Sequence, residues 1–251
     1  MKPKNLDEIQ KSFTKQAQNY DKALSGDYTM RSINPTKNDC VLDAAAGTCS
    51  FGRAAAPFVK TVVCLDATPA MLDVGREESA KSGITNINFI NGYVDAIPFD
   101  DQYFDIVFTG NAFHHFTEME KPFSEMHRVL KRGGQLVIKD MEAAEESLRS
   151  IEDKIEIMRD PSHIKNRSRD EFLTLYEKYG YNVTKSEATT YPKSLSDWMT
   201  LTKTPKDICE EIENMLKAEM QNGSLTGFRP CLKDGKIYFE QRFVFFIGKK
   251  I

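Results

Sequence analysis

Two neighbouring apolar runs of the chain each end in an acidic residue, and small residues follow the first. The segment VLDAAAGTCSFG (41–52) passes through Asp43 into a loop of small residues and then toward a helix. Because small side chains leave backbone N–H groups accessible, such a loop can hold a small anionic group. A second carboxylate, Asp66, ends the next apolar run roughly 20 residues later, a separation suited to ribose hydroxyls. Together the two features predict a site for a nucleoside-containing cofactor.

Two adjacent histidines, His114 and His115, are the candidate catalytic residues. They follow the fourth apolar run, on the side where doubly wound sheets bind ligands. Because histidine titrates near neutral pH, either ring could remove a proton from an acceptor O–H or C–H. In the alternative, one ring packs in the interior and the other orders the loop. His163 is a weaker candidate. No histidine or cysteine spacing is typical of a metal site, so no metal is expected.

Alternating strands and helices would position these residues. The apolar runs are short and nearly continuous, as is typical of parallel strands covered on both faces. Thr68 and Pro69 suit the start of a helix that Gly83 ends, and another helix is predicted from about residue 122 to 131. The predicted strands are 40–43, 61–66, 87–90, 104–109 and 135–140, then 180–190 and, after a turn at 234–235, 237–247.

This order of elements predicts an α/β fold. We expect a doubly wound, mostly parallel seven-stranded sheet with helices on both faces, N-terminal helices and a C-terminal helical cap. Residues 1–251 would form a single domain. Within it, 1–35 would be an N-terminal helical lid, 36–141 the cofactor-binding core, and 142–251 the cap helices and the final two strands.

The loop after the first strand lacks the GxGxxG pattern of dinucleotide-binding proteins. Its DAAAGTC sequence (43–49) instead resembles the DxGxGxG signature of class I S-adenosylmethionine-dependent methyltransferases. The resemblance extends over about residues 13–141. This segment is similar to the branch of the family that contains quinone and sterol methyltransferases. The C-terminal part of the chain resembles small uncharacterised bacterial members of the family. The further matching segments are FxxxAxxYD (13–21), LDATPAML (65–72), NGYVDAIPFDDQYFDIV (91–107), HHF (114–116) and HRVLKRGGQLVIKD (127–140).

The resemblance implies S-adenosylmethionine as the cofactor. Gly47 would admit the methionyl part, and Asp66 would accept hydrogen bonds from both ribose hydroxyls. Met71 would pack on the adenine or belong to the core. Phe13 and Tyr20 would either close over the sulfonium or pin the N-terminal helix to the core. The implied cofactor contacts are Phe13, Tyr20, Asp43, Ala45, Gly47, Thr48, Cys49, Asp66, Ala67, Met71, Val94, Asp95, Ala96 and Asn111.

Three residues depart from the family pattern. Ala45 and Cys49 stand where the loop signature has glycine. If the backbone at Cys49 requires a positive φ, a residue with a side chain there costs of the order of 1 kcal/mol. Tyr93 stands where the family often has an aspartate that binds the adenine amino group.

The resemblance implies methyl transfer to a small organic acceptor, apolar or aromatic in character, by in-line displacement. Apolar residues of the cap, among them Trp198, Met199 and Phe228, would line the acceptor pocket or form plain core. A net charge of −3 offers no surface for nucleic acid, and no run is long enough for stable membrane insertion. Five cysteines without CxxC pairing indicate reduced thiols and a cytoplasmic location. The expected oligomeric state is a monomer or homodimer.

Two alternative functions stay open. A nicotinamide-dependent oxidoreductase would share the fold and the acidic residue on the second strand, but it should carry GxGxxG. A non-catalytic S-adenosylmethionine-binding protein is compatible with the altered loop and with the absence of an evident base.

Overall fold

The fold is seen in a computed structural model that describes residues 5–20, 27–223 and 225–251, without the side chains of residues 20, 27 and 28. The α-helices are α1 (Leu6–Tyr20), α2 (Asp27–Ile33), α3 (Ser50–Ala55), α4 (Pro69–Lys81), α5 (Glu120–Val129), α6 (Glu146–Arg159), α7 (Arg169–Lys178), α8 (Leu195–Leu201) and α9 (Lys206–Asn222). The strands are β1 (Cys40–Ala44), β2 (Thr61–Asp66), β3 (Ile87–Asn91), β4 (Phe104–Gly110), β5 (Leu130–Met141), β6 (Tyr181–Ser194), β7 (Cys231–Lys233) and β8 (Lys236–Lys250).

One sheet runs through the molecule in the order β3-β2-β1-β4-β5-β8-β6. The strands from β3 to β5 are parallel, whereas β8 is antiparallel to both β5 and β6. This is the expected doubly wound, mostly parallel seven-stranded sheet, and β7 adds a short eighth strand against β8. The turn between them is at Asp234 and Gly235, where φ is 50° and 72°. The fold class is therefore confirmed.

The central strands β1, β2 and β4 are buried on both faces of the sheet, which explains their nearly continuous apolar runs. Alternate residues of one strand enter two different clusters, because successive side chains of a strand point to opposite faces. The cluster under α2 and α3 contains Val41, Val62, Ile106, Phe108, Val137 and Phe245. The cluster on the other face contains Leu42, Val63, Val107, Leu136, Phe123 and Phe172.

The helix boundaries follow their sequence signals with one difference. Helix α4 begins at Pro69 after Thr68, and Gly83 follows its end with φ 66°. Helix α5 begins and ends two residues before the predicted bounds, because β5 starts directly at Leu130. Leu130, which was expected in the last turn of the helix, is thus the first residue of the next strand.

The C-terminal part forms a cap with a core of its own. Helices α6 and α7 lie between β5 and β6, and α8 and α9 lie between β6 and β8. Trp198 is 1% exposed and packs on the rings of Phe228 and Phe239 at centroid distances of 5.4 and 5.0 Å, and these two rings also contact each other. Ile212 and Leu216 of α9 complete this cluster. These residues are plain core.

Candidate functional site

A cavity of about 260 Å³ opens at the carboxyl ends of the central strands. Residues of α1, the loop after β1, the end of β2 and the loop after β4 form its walls. Doubly wound sheets bind ligands at this edge, where neighbouring connections diverge to opposite faces. Of the residues predicted for the site, Phe13, Asp43, Ala45, Gly47, Asp66, Ala67, Met71, Val94, Asp95, Asn111 and His115 line the cavity.

Asp66 joins the two loops that the sequence singled out. Its Oδ2 accepts a hydrogen bond from the Gly47 N–H at 2.8 Å, and its Oδ1 accepts one from the Thr68 N–H at 2.8 Å. Burial raises the pKa of Asp66, and the two N–H groups partly offset this by stabilising the carboxylate. A carboxylate has about four acceptor positions, so about two remain for the hydroxyls of a ligand.

The loop after β1 has a left-handed backbone at each position where the family signature carries glycine. The φ values are 56° at Ala45, 54° at Gly47 and 61° at Cys49. Only glycine adopts this region without a steric penalty. The geometry thus explains the DxGxGxG spacing. It also shows that this chain carries the penalty twice.

Asp43 braces the loop from below. Its Oδ2 accepts a hydrogen bond from the Gly52 N–H at 2.9 Å, and the side chain is 2% exposed. Burial raises the pKa of Asp43 well above its usual value, although the Gly52 N–H acts in the opposite direction. The contact that the structure shows for this carboxylate thus stabilises the loop.

Three of the predicted cofactor contacts, Thr48, Cys49 and Ala96, do not line the cavity, and the side chain of a fourth is outside the described residues. Thr48 and Cys49 are fully buried behind the loop. A Cβ built on Gly75 of α4 would lie 2.9 Å from the Cys49 sulfur, so the thiol packs directly against that helix. Ala96 is exposed to solvent. Tyr20 belongs to α1, but its side chain lies outside the described part of the structure.

Asn111 presents an acceptor that has no partner. It follows β4 with φ 53°, and its N–H donates to the Lys139 carbonyl oxygen at 2.8 Å. Its side-chain Oδ1 is buried and has no hydrogen bond, although the residue lines the cavity. Because an unpaired buried acceptor is costly, this atom indicates a place for a ligand donor.

His114 lies outside the cavity wall and organises the loop after β4. Its Nδ1 is 2.6 Å from Oδ1 of Asp140, and both side chains are buried. Oδ2 of the same carboxylate accepts the N–H groups of Ala112 and Phe113. Burial alone would raise the pKa of Asp140, but His114 and these N–H groups outweigh it and lower the pKa. The structure thus gives this ring a loop-ordering contact.

His115 does line the cavity, next to Phe13, with the ring centroids 4.9 Å apart. Its Nδ1 donates to the Ser162 carbonyl oxygen at 2.9 Å, because a carbonyl oxygen can only accept. The lone pair is then on Nε2, which has no partner among the described residues. Burial lowers the pKa of His115 to about 3, so the ring is neutral near pH 7.

Helix α1 is held against the site by a buried carboxylate. Asp160, just after α6, accepts hydrogen bonds from Ser12 at 2.7 Å and from Gln16 at 2.9 Å. Gln10 donates to the Ala67 carbonyl oxygen, and Asn5 donates to that of His115. The N-terminal helix therefore forms a fixed wall of the cavity.

Several residues of the cavity wall were not predicted from the sequence. Asn5, Leu6 and Ile9 line the cavity from α1. Phe51 and Phe108 stack with centroids 3.7 Å apart on the side of α3. Lys139 of β5 also lines it. Phe51 lies within the segment 41–52 and Lys139 within the matching segment 127–140, but those segments give neither residue a role in the site. The alternation along the strands could have indicated Phe108 and Lys139. Phe108 follows Ile106, and Lys139 follows Val137, at the two-residue spacing that keeps side chains on one face of the sheet.

Neither a cluster of metal-ligating side chains nor a membrane-spanning helix occurs among the described residues. No group of three or more His, Cys, Asp or Glu side chains there could hold a metal ion. No helix in the same residues has the length and apolar character to cross a membrane.

Comparisons with known proteins agree with this geometry. A family described as "Methyltransferase domain" matches residues 35–191. An uncharacterized methyltransferase of Bacillus subtilis, YcgJ, is 30% identical over 168 residues, which are 66% of each chain. Its crystal structure matches with a TM-score of 0.80 at 25% identity, over 90% of this chain and 97% of that one. A putative methyltransferase from Bacillus halodurans matches with a TM-score of 0.82 at 27% identity, over 90% and 98%.

A third similarity is partial. A ubiquinone/menaquinone biosynthesis C-methyltransferase, UbiE, of a Marinomonas species is 32% identical over 127 residues. The match covers 49% of this chain and 51% of UbiE, so about half of that relative's length is shared. The family match over more than half of the chain, the fold and the loop geometry lead to one assignment. The chain belongs to the S-adenosylmethionine-dependent methyltransferase family.

Proposed function

We propose that this chain transfers the methyl group of S-adenosylmethionine to a small organic acceptor by in-line displacement. The observation that carries the proposal is Asp66, whose two carboxylate oxygens are oriented by the N–H groups of Gly47 and Thr68 at the cavity. The remaining acceptor positions of the carboxylate match the two hydroxyls of a ribose.

The other cavity residues fit the remaining parts of the cofactor. The unpaired Oδ1 of Asn111 would accept from the methionyl ammonium group. Met71 and Val94 are 1% and 7% exposed and would cover the adenine. Asp95 lies beside them, with its pKa raised by burial. Phe13 would bring an aromatic face toward the sulfonium.

The chemistry requires little from the protein beyond alignment. When bound, the cofactor supplies an electrophilic methyl carbon on a positively charged sulfur. The acceptor's nucleophilic atom would contribute the electron pair of the new bond, the carbon–sulfur pair would return to sulfur, and an acceptor proton would leave for a base or water. Holding the two partners in line can contribute several kcal/mol. The unpaired Nε2 of His115 would accept a hydrogen bond from the acceptor at the cavity. Because the pKa of this ring is about 3, it is a weak base, and the proton would pass to water.

We propose an acceptor with an apolar or aromatic body. The rings of Phe13, Phe51, Phe108 and Phe116 line the cavity, and such surfaces bind apolar groups. The similarity to UbiE, whose name refers to quinone biosynthesis, supports the same class by analogy. The cytoplasmic location expected from the cysteines is part of this proposal.

The first test is the affinity for S-adenosylhomocysteine, measured by calorimetry. Asp66→Asn keeps the shape of the side chain but removes its charge, and we expect about 10- to 100-fold weaker binding from the loss of charge-assisted hydrogen bonds. The matched control is Asp73→Asn, because the side chain of Asp73 is 69% exposed on α4. Equal affinity of the two variants would contradict the assignment of Asp66.

The second test separates the alternatives. Transfer of a radiolabelled methyl group to any member of an acceptor panel would exclude a purely binding role. Binding of S-adenosylhomocysteine without turnover across a broad panel would favour that role. Thermal stabilisation by a nicotinamide dinucleotide, and not by S-adenosylhomocysteine, would instead favour the oxidoreductase.

A further inference from the structure

A lysine without a charged partner lies in the wall of the cavity. Lys139, near the end of β5, is half-buried and lines the cavity. Its Nζ has no hydrogen bond and no ion pair among the described residues. Among the described residues, the ring of Phe243 lies near the ammonium group, with its centroid 5.6 Å from Nζ. Burial lowers the pKa of Lys139, and no described carboxylate acts to raise it again.

The other lysines near this region have polar or charged partners. Lys185 of β6 lies over the neighbouring ring of Phe245, but its Nζ also contacts the Ser32 hydroxyl at 3.1 Å and Glu187 at 3.4 Å. Lys121, which also lines the cavity, interacts electrostatically with Asp95. Among the described lysines of the cavity wall, Lys139 is therefore the one whose charge meets no carboxylate.

The position of Lys139 places it away from the nucleoside end of the site. Asp66 ends β2, and the sheet order β2-β1-β4-β5 puts three strand spacings between the two residues, about 14 Å. Asn111, the candidate partner of the methionyl group, follows β4 and donates its N–H to the Lys139 carbonyl oxygen. From β2 to β5, Lys139 thus lies beyond Asp66 and Asn111, the residues proposed for the cofactor. This part of the cavity is available to the acceptor.

The face of β5 on which Lys139 lies also carries the aromatic part of the cavity. Gly110 pairs with Lys139 in the β4–β5 register, so Phe108 and Lys139 lie on the same face at the carboxyl end of the sheet. The stacked rings of Phe51 and Phe108 line the same cavity. A cation beside apolar rings is suited to a ligand with an apolar body and one negative group.

We propose that Lys139 binds an anionic oxygen group of the methyl acceptor, a carboxylate or a phosphate monoester. The inference rests on the proposed methyl transfer and adds the substrate class. An unpaired, partly desolvated ammonium group is unfavourable, and an incoming anion removes this cost while it forms a short charge-assisted contact. Lys139 is thus a residue that determines specificity.

The test uses matched anionic and neutral probes on protein saturated with S-adenosylhomocysteine. The pairs are benzoate and benzamide, octanoate and octanamide, and phenyl phosphate and phenol, and ligand-observed NMR titrations give their affinities. We expect at least one anion to bind about 10-fold more tightly than its neutral partner. Lys139→Met should remove this preference and Lys139→Arg should retain it. Lys185→Met, the matched control on the same face of the sheet, should leave it unchanged.

Three results would overturn the inference. The first is an absence of preference for any anion in the wild-type chain. The second is an anion preference that survives in Lys139→Met. The third is a loss of about 10-fold or more in S-adenosylhomocysteine affinity in Lys139→Met, because Lys139 would then serve the cofactor, and the proposed methyl transfer would stand. A wild-type chain that does not bind S-adenosylhomocysteine would remove the proposed function and this inference together.

Discussion

Two glycine substitutions in the loop after β1 should have different effects on stability, although the backbone is nearly the same at both sites. Ala45 has φ 56° and Cys49 has φ 61°, so Ala45→Gly and Cys49→Gly relieve the same left-handed penalty. For a residue with a side chain this penalty is about 1–2 kcal/mol. Both substitutions also add a flexible glycine to the unfolded chain, which costs about 0.5–1 kcal/mol.

The difference in stability between the two variants therefore depends on how many side-chain atoms each wild-type residue buries. Ala45 is half-buried, and its methyl group contributes about 0.4 kcal/mol, half of the value for a buried carbon. Cys49 is 0% exposed, and its two side-chain atoms contribute about 1.6 kcal/mol on the same scale. We expect Ala45→Gly to lie within about 0.5 kcal/mol of the wild type. Cys49→Gly should be less stable than Ala45→Gly by about 1.2 kcal/mol, or more if a cavity remains beside Gly75.

Urea unfolding measures this difference directly. The signals are far-ultraviolet circular dichroism and the fluorescence of Trp198, which is buried in the cap. Coincident transitions from the two signals, with equal slopes in all three proteins, are needed to compare free energies of unfolding. The reasoning is refuted if Ala45→Gly is as destabilised as Cys49→Gly, or if Cys49→Gly is the more stable variant.

The remaining predictions concern two buried titrating groups. The pKa of Asp140 is lowered in the folded state. Its contribution to stability is therefore present above the ordinary pKa of an aspartate, 3.8, and is lost as the pH falls through the lower pKa of the folded state. Asp140→Asn should be less stable by about 3 kcal/mol at pH 7 and should show a flatter loss of stability below pH 4; an unchanged slope would contradict this. His115, with a folded pKa of about 3 against 6.5, should make stability fall as the pH falls from 6.5 toward 3 and add no slope above 6.5. Nitrogen-15 spectra at pH 5 should show His115 neutral with its proton on Nδ1, and an imidazolium spectrum would count against the assigned hydrogen bond to Ser162.

Much of the fold and the nucleoside end of the site could be predicted because the signals are local. Each parallel strand is an apolar run covered on both faces, and the carboxyl ends of such strands meet at one edge of the sheet. The acidic residue at the end of β2 and the small residues after β1 could therefore be assigned to one site from their positions alone. The family, its fold and its cofactor class are confirmed.

The rest of the site depends on contacts between distant parts of the chain. The two adjacent histidines could not be told apart in the sequence, because their difference lies in Asp140 and Ser162, 26 and 47 residues away. In the sequence, Lys139 is a single polar residue near the end of an apolar strand. Only the pairing of β5 with β4 and β8 brings it to the cavity. The aromatic residues of the cap were considered for the acceptor pocket, but they pack on one another around Trp198.

The contacts that hold α1 also affect the order in which the molecule can assemble. Ser12 bonds to Asp160, 148 residues further along the chain, and Lys15 bonds to the carbonyl oxygen of Lys203, 188 residues away. Closing loops of this length is slow, because the entropy must be lost before the contacts form. During synthesis α1 precedes its partners and must wait until the connection after α6 has been made. The wall that faces the loop after β1 therefore cannot form before Asp160 has been synthesised. Strands β1 to β5 all precede Asp160, so a nascent chain has made the parallel part of its sheet before it can enclose a ligand.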